Sequence, residues 1–217
     1  LRNVSPCAVI VTVFTTGTRL EMQHNPVPAV IHEVFDIFPI SVHRFRAKFT
    51  LELKNTVLNT IARNKHDPNI MDSPRNKING LYTDYLLGNT WGELVWEPHL
   101  GPLLKPFMDH FRVKVSDIWA QEYTNRAGMP HHRHHLQGFS AVFYVQLAEQ
   151  HCRTGFFRPY MDPNDPNHLL ERTEPPVEEG DILIFPSWLA HDVLVQQTDT
   201  KISPRTIISF NLVPTTA

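Results

Sequence analysis

Apolar residues recur at helical spacing in two stretches of this chain and at strand spacing through most of the remainder. Leu53, Val57, Leu58, Ile61 and Ala62 share one face of a 3.6-residue repeat, which predicts a helix over residues 49–63. Leu100, Leu103, Leu104, Phe107, Met108 and Phe111 form a second stripe, predicting a helix over 100–111 that kinks or starts late at Pro106. Residues 31–45 mix β-branched and aromatic side chains around Pro39 and read as one or two short strands. Residues 64–80, rich in Asn, Asp, Pro and Lys, read as a loop. Beyond Val113 the pattern changes to strands at 116–123, 131–147, 155–161, 181–185 and 206–213, with Pro-, Gly- and Asp-rich breaks between them. Helices followed by such a run predict a mainly β barrel or sandwich of the jelly-roll, cupin-like class, with the helices packed outside.

Composition narrows this picture. A chain of 217 residues with 41% hydrophobic positions can bury one real core, and 18 prolines against 9 glycines suit a loop-rich β protein. We expect residues 1–21 to be an N-terminal extension and residues 22–217 a single domain, with the barrel core at about 113–213. The apolar run from Cys7 to Phe14 is short, broken by threonine and lacks a small-residue cleavage site, unlike a signal peptide. No stretch approaches the length needed to span a bilayer. A net charge of -2 carries no strong nucleic-acid signature. Two cysteines, Cys7 and Cys152, make neither a disulfide framework nor a zinc ribbon, so an intracellular setting is expected.

Thirteen histidines matter less than their arrangement. In His131-His132-Arg133-His134-His135, a strand would turn His132 and His134 to one face and His131, Arg133 and His135 to the other. Two imidazoles two residues apart on one face can reach a common ion. A third ligand comes from Gly180-Asp181-Ile182-Leu183-Ile184-Phe185-Pro186-Ser187-Trp188-Leu189-Ala190-His191, where Pro186 breaks a buried strand before His191. Asp192 should face the opposite side of its strand and is not taken as a ligand. His132, His134 and His191 are therefore the candidate metal and catalytic residues.

Over residues 117–213 the chain resembles the Fe(II)/2-oxoglutarate-dependent dioxygenases, in their prolyl-hydroxylase-like branch and its small phage and bacterial oxygenases. Tyr123, Gly128 and His132 fall at the family's spacing of tyrosine, glycine turn and first histidine, with His134 in the place of the usual aspartate. Ser140 to Val145 is similar to the strand after the metal pair, and Phe185 to His191 to the distal-histidine segment. The resemblance implies a double-stranded β-helix barrel, iron(II), 2-oxoglutarate as co-substrate and O2. It also implies an intracellular enzyme, phage-encoded and active in a host cell.

Arg205, fourteen residues after His191, takes the place of the residue that pairs with the far carboxylate of 2-oxoglutarate, and its planar fork suits that task. On its strand it shares a face with Ile207, Ser209 and Asn211, so Ser209 could add a hydroxyl donor. Tyr123 and Tyr144 either contact the co-substrate or only pack. His134 departs from the family pattern, since three neutral ligands leave a divalent ion at a formal +2. Two other readings stay open: a three-histidine cupin that does not use 2-oxoglutarate, and a non-catalytic metal-binding barrel. Gly180, Pro186 and His191 match the second cupin motif in spacing, with Trp188 in place of its glycine. The primary substrate would be chosen by loops at 64–98 and 148–178, where Tyr82, Trp91 and Trp96 either line an aromatic wall or pack the helices.

Overall fold

The alternation beyond Val113 builds two antiparallel sheets facing one another. In the computed structural model, residues 31–37, 40–46, 50–67, 81–84, 87–134, 136–159, 171–197 and 202–215 are described. The expected extension at 1–21 and most of the loop at 64–80 lie outside them. Strands β1 (Ile31–Ile37) and β2 (Ile40–Arg46) flank the position of Pro39, as expected. Then come β3 (Leu81–Thr83), β4 (Val113–Tyr123), β5 (Met129–His132), β6 (Phe139–Gln146), β7 (Thr154–Phe157), β8 (Arg172–Thr173), β9 (Asp181–Pro186), β10 (His191–Val193) and β11 (Arg205–Pro214). The larger sheet runs β1-β2-β9-β6-β11-β4-β3 and the smaller β5-β10-β7-β8. This is the expected jelly-roll.

The larger sheet is covered on both sides, so its central strands are apolar on both faces. Ala120, Phe143, Ile182, Ile184, Ile208, Phe210 and Leu212 face the helices, in one buried cluster with Leu53, Val57, Ile61, Trp91, Leu104 and Phe107. Val142, Tyr144, Leu183, Phe185 and Ile207 face inward and meet Phe156 and Val193 of the smaller sheet. Each such side chain removed from water contributes about 1.5–3 kcal/mol.

Helix α1 (Leu51–Asn64) buries Leu53, Val57 and Ile61, and Thr50 caps it by accepting from the Leu53 N–H at 3.2 Å. The second stripe starts earlier than expected. A short helix α2 (Gly88–Trp91) leads through a π-helical stretch (Gly92–Leu100) into α3 (Gly101–Phe111). Pro106 does not break α3, because it and Pro102 lie on the exposed face, where the carbonyl left without a donor meets water. Tyr82, Trp91 and Trp96 do not form a wall of the cavity: all three pack on the helical side, Trp96 against Phe210 at 5.2 Å between ring centroids. Among the described residues no helix is long and apolar enough to cross a membrane.

The expected single strand over 131–147 is two strands. β10 begins at His191, opposite His132, so residues beyond His132 have no ladder partner. The chain turns through Gly138 (φ 84°) and re-enters as β6. A Cβ at Gly138 would lie 2.1 Å from the Leu212 carbonyl oxygen, so the turn requires glycine twice over. Gly138→Ala should lower the unfolding free energy by more than about 1 kcal/mol, since both the left-handed backbone and the close approach penalise a side chain. An unchanged urea midpoint would show that the turn can rearrange freely.

Edge strand β3 is anchored by a buried carboxylate just past its end. Asp84 Oδ1 accepts from the Trp91 indole at 3.0 Å and the Ala120 N–H at 2.7 Å, and Oδ2 from the Tyr82 hydroxyl at 3.1 Å. Burial outweighs these donors and pushes the carboxyl up to about 6. The folded state therefore holds an extra proton between about pH 4 and 6. Its stabilising contribution is complete below pH 4 and lost as pH rises through 6. Asp84→Asn, neutral throughout, should lack this decline, about 2–3 kcal/mol between pH 4 and 7. Parallel pH profiles of urea stability in the two proteins would contradict it.

Candidate metal centre

His132 ends β5 and His191 opens β10, and the two are direct cross-strand partners. Their side chains fall on the same face at neighbouring positions, with ring centroids 4.3 Å apart. His131 points away, exposed, and packs edge-on against Phe157 at 4.6 Å. His134 arrives differently from the expected strand alternation. It lies beyond the end of β5, and its N–H donates to the Ser187 carbonyl at 2.9 Å, in the turn between β9 and β10. The Ser187 N–H in turn donates to the Gly138 carbonyl at 3.1 Å. That clasp swings the His134 ring to 5.2 Å from both other imidazoles. One ring nitrogen from each of the three lies within 4.8 Å of the others.

Each Nδ1 faces an acceptor: the Pro130 carbonyl at 2.8 Å for His132, the Leu189 carbonyl at 2.9 Å for His191 and Asn211 Oδ1 at 2.9 Å for His134. A neutral imidazole that donates from Nδ1 carries its lone pair on Nε2, so all three tautomers suit a metal ligand. Burial, reinforced by the neighbouring His132, pushes His191 down to about 3, which keeps that imidazole neutral. Phe185 stands edge-on to His191 at 4.7 Å and Trp119 is stacked on His134 at 6.1 Å. Asp192 points to the other side, where it pairs with Arg172 at 2.8 Å.

The imidazoles open onto a cavity of about 530 Å3 between the two sheets. Arg205, wholly buried, lies against Tyr123 and Thr154 of the cavity lining, with the guanidinium 4.7 Å from the Tyr123 ring centroid and 5.4 Å from that of Tyr144. Nη2 donates to Thr154 Oγ1 at 3.2 Å, and the Tyr144 hydroxyl donates to the same oxygen at 2.9 Å. Nε and Nη1 of Arg205 have no hydrogen-bond partner among the described residues. A buried guanidinium left this way costs several kcal/mol unless an anion completes it. Ser209 shares the inward face, with its hydroxyl donating to Gln121 Oε1 at 3.2 Å.

Sequence reasoning missed Thr154, Gln121, Ser187 and the contact from Asn211 to His134. Strand parity could have found Thr154, which shares a face with Phe156. The Asn211 contact joins residues 77 apart, and no local signal announces it.

Residues 117–211 match the family model described as "Putative 2OG-Fe(II) oxygenase". No curated protein matches the chain by sequence. Solved structures share its fold. HygX from Streptomyces hygroscopicus, crystallised with nickel, 2-oxoglutarate and hygromycin B, is 12% identical over 81% of this chain and 84% of its own, with a TM-score of 0.56. A Pseudomonas putida prolyl-4-hydroxylase is 13% identical over 83% of this chain and 96% of its own, with a TM-score of 0.54. The epimerase SnoN from nogalamycin biosynthesis, non-heme and dependent on alpha-ketoglutarate, is 13% identical over 80% and 78%, with a TM-score of 0.57. The family match thus covers residues 117–211, and the solved structures share the jelly-roll around them.

Proposed function

We propose that this enzyme couples decarboxylation of 2-oxoglutarate to hydroxylation of a second substrate, with His132, His134 and His191 holding iron(II) and Arg205 anchoring the co-substrate. The observation that carries this reading is a fully buried arginine with two nitrogens unpartnered among the described residues, set against Tyr123 and Thr154 of the cavity that the three imidazoles also line. A three-histidine cupin working without 2-oxoglutarate has no use for such a group.

Bound iron(II) supplies the redox chemistry that lets O2 oxidise the keto acid and the substrate together. The remaining work belongs to the chain. Three neutral imidazoles leave the ion its full +2 charge, and Arg205 adds another positive charge. Among the described residues lining the cavity, Asp117 is the one carboxylate. A dianion reaching from the metal to Arg205 complements both ends. Thr154 Oγ1 already accepts from Tyr144 and Arg205, so its own hydroxyl hydrogen remains to donate to the far carboxylate. The flat faces of Tyr123 and Tyr144 keep the guanidinium fork in place and exclude water from it. Phe185 and Trp119 wall the imidazoles and limit solvent access there.

Replacing His132, His134 or His191 singly by Ala should abolish stoichiometric binding of one divalent metal in anaerobic titrations. A His134 variant with full affinity would remove His134 from the ligand set, and a His191 variant with full affinity would undo the centre.

Arg205→Ala should weaken 2-oxoglutarate binding to the metal-loaded protein about thirty-fold or more while sparing metal affinity, because a charge-assisted pair of this kind is worth about 2–5 kcal/mol. Arg205→Lys should restore only part, since an ammonium cannot reproduce the fork. Calorimetry and the visible charge-transfer band of the anaerobic iron(II)–2-oxoglutarate complex read this out. Equal affinity in the Ala variant, or no binding by the wild type, would favour the cupin reading.

A further inference from the structure

Two of the three imidazoles have their tautomer set locally. His132 and His191 each donate from Nδ1 to the backbone carbonyl two residues upstream, Pro130 and Leu189. His134, in the place of the usual aspartate of the family the chain resembles, turns its Nδ1 to a distant side chain. Its Nδ1 meets the side-chain oxygen of Asn211, 77 residues away on β11, at 2.9 Å.

Asn211 is itself held. It is buried, directly opposite Ser140 on β6 and Asp117 on β4. Ser140 Oγ lies 3.0 Å from the same Asn211 Oδ1 and 3.1 Å from Ser187 Oγ, and both serines are buried. Ser140 has one hydroxyl hydrogen. An amide oxygen has none, so Ser140 donates to Asn211 and its own oxygen is left to take the hydrogen of Ser187. The amide oxygen thus receives two donors, its full complement. Were the amide reversed, its NH2 would face the Nδ1 of His134 and drive that ring's proton onto Nε2, the atom a metal needs bare. Ser187 also takes the His134 backbone N–H on its carbonyl at 2.9 Å, so one network grips the residue by main chain and ring.

We propose that Asn211, supported by Ser140 and Ser187, is a positioning residue that makes His134 competent as the third metal ligand. The proposal rests on the reading of His134 as a ligand. It also gives a physical account of the departure from the family pattern. A carboxylate at position 134 would turn a second acceptor against the Asn211 oxygen, and relieving that would require the amide to reverse and Ser140 to become an acceptor that passes its hydrogen to Ser187. His134 and Asn211 therefore form a matched donor–acceptor pair within this chain.

The test uses the full chain titrated anaerobically with cobalt(II), whose visible d–d band reports ligand geometry independently of turnover. Asn211→Leu removes the acceptor at similar volume and should weaken cobalt(II) binding about 10–100-fold, with an altered band. Asn211→Asp offers an acceptor to the same Nδ1–H and should restore affinity to the wild-type level or better, since a carboxylate behind an imidazole raises its basicity. Ring 15N shifts of His134 in the zinc-loaded protein should show Nδ1 protonated in the wild type and the Asp variant. A wild-type cobalt(II) affinity and band in Asn211→Leu would overturn the proposal, as would an Asp variant as weak as the Leu variant. If circular dichroism shows the Leu variant unfolded, Ser140→Ala takes its place, with a smaller loss of affinity expected and an unchanged affinity overturning the idea. His134→Ala separates the two levels. Full metal affinity there defeats the ligand reading itself, whereas its loss there together with a normal Asn211→Leu defeats only the role of Asn211.

Discussion

The register of β10 against β5 is the constraint on which the centre depends. His191 lies opposite His132, and because successive side chains on a strand alternate, a slip of one residue would turn His131 inward and His132 to solvent. β10 is only three residues long, so ladder hydrogen bonds alone cannot enforce that register. Its hold comes from both flanks. His191, Asp192 and Val193 pair with Phe156, Gly155 and Thr154 of β7, and Arg172 crosses bare Gly155 to reach Asp192 at 2.8 Å. A Cβ at Gly155 would lie 2.1 Å from that guanidinium. The outward side of β10 is thereby locked by an ion pair, while the inward side carries the imidazole.

The same short strand explains what the sequence could and could not disclose. Alternation around His132, Arg205, Ser209 and Asn211 is legible because β5 and β11 obey it, and the buried run ending at Pro186 announces His191. His134 lies on the side that strand alternation predicts, but alternation does not put it there. Strand parity does not apply to it, because the ladder ends where β10 ends, and its direction is set instead by the Ser187 carbonyl. Such a contact joins a turn to a loop 53 residues apart and leaves no periodic trace. Tyr82, Trp91 and Trp96 remained ambiguous for a related reason. An aromatic residue in a segment of mixed pattern can face either side of a sheet covered on both, and Asp84 decided it by drawing the Tyr82 hydroxyl and Trp91 indole to the helical side.

Stability and function pull against each other at Arg205. The larger sheet could have closed its inner layer with an aliphatic residue there, since neighbours Tyr123, Tyr144 and Ile207 are all buried and largely apolar. It carries instead a charge with two nitrogens unsatisfied among the described residues. The faces of two tyrosines and one threonine oxygen recover part of the desolvation penalty, too little to make the site comfortable when empty. A residue of this kind is retained for what completes it.

That imbalance bears on the neighbouring cavity. In the proposed assignment three neutral imidazoles would leave a divalent ion uncompensated, and Arg205 lies behind Tyr123 and Thr154 of the lining, with Asp117 as the one carboxylate among the described lining residues. With an aspartate in place of His134 the metal end would be closer to neutral and would gain less from an anion. Under that assignment neutral ligation would shift the burden of charge balance from the protein to the co-substrate. The free energy of binding metal and that of binding a dianion would then be linked, because each charge lowers the cost of the other in a site walled by Phe185, Trp119 and Tyr123 where water screens poorly.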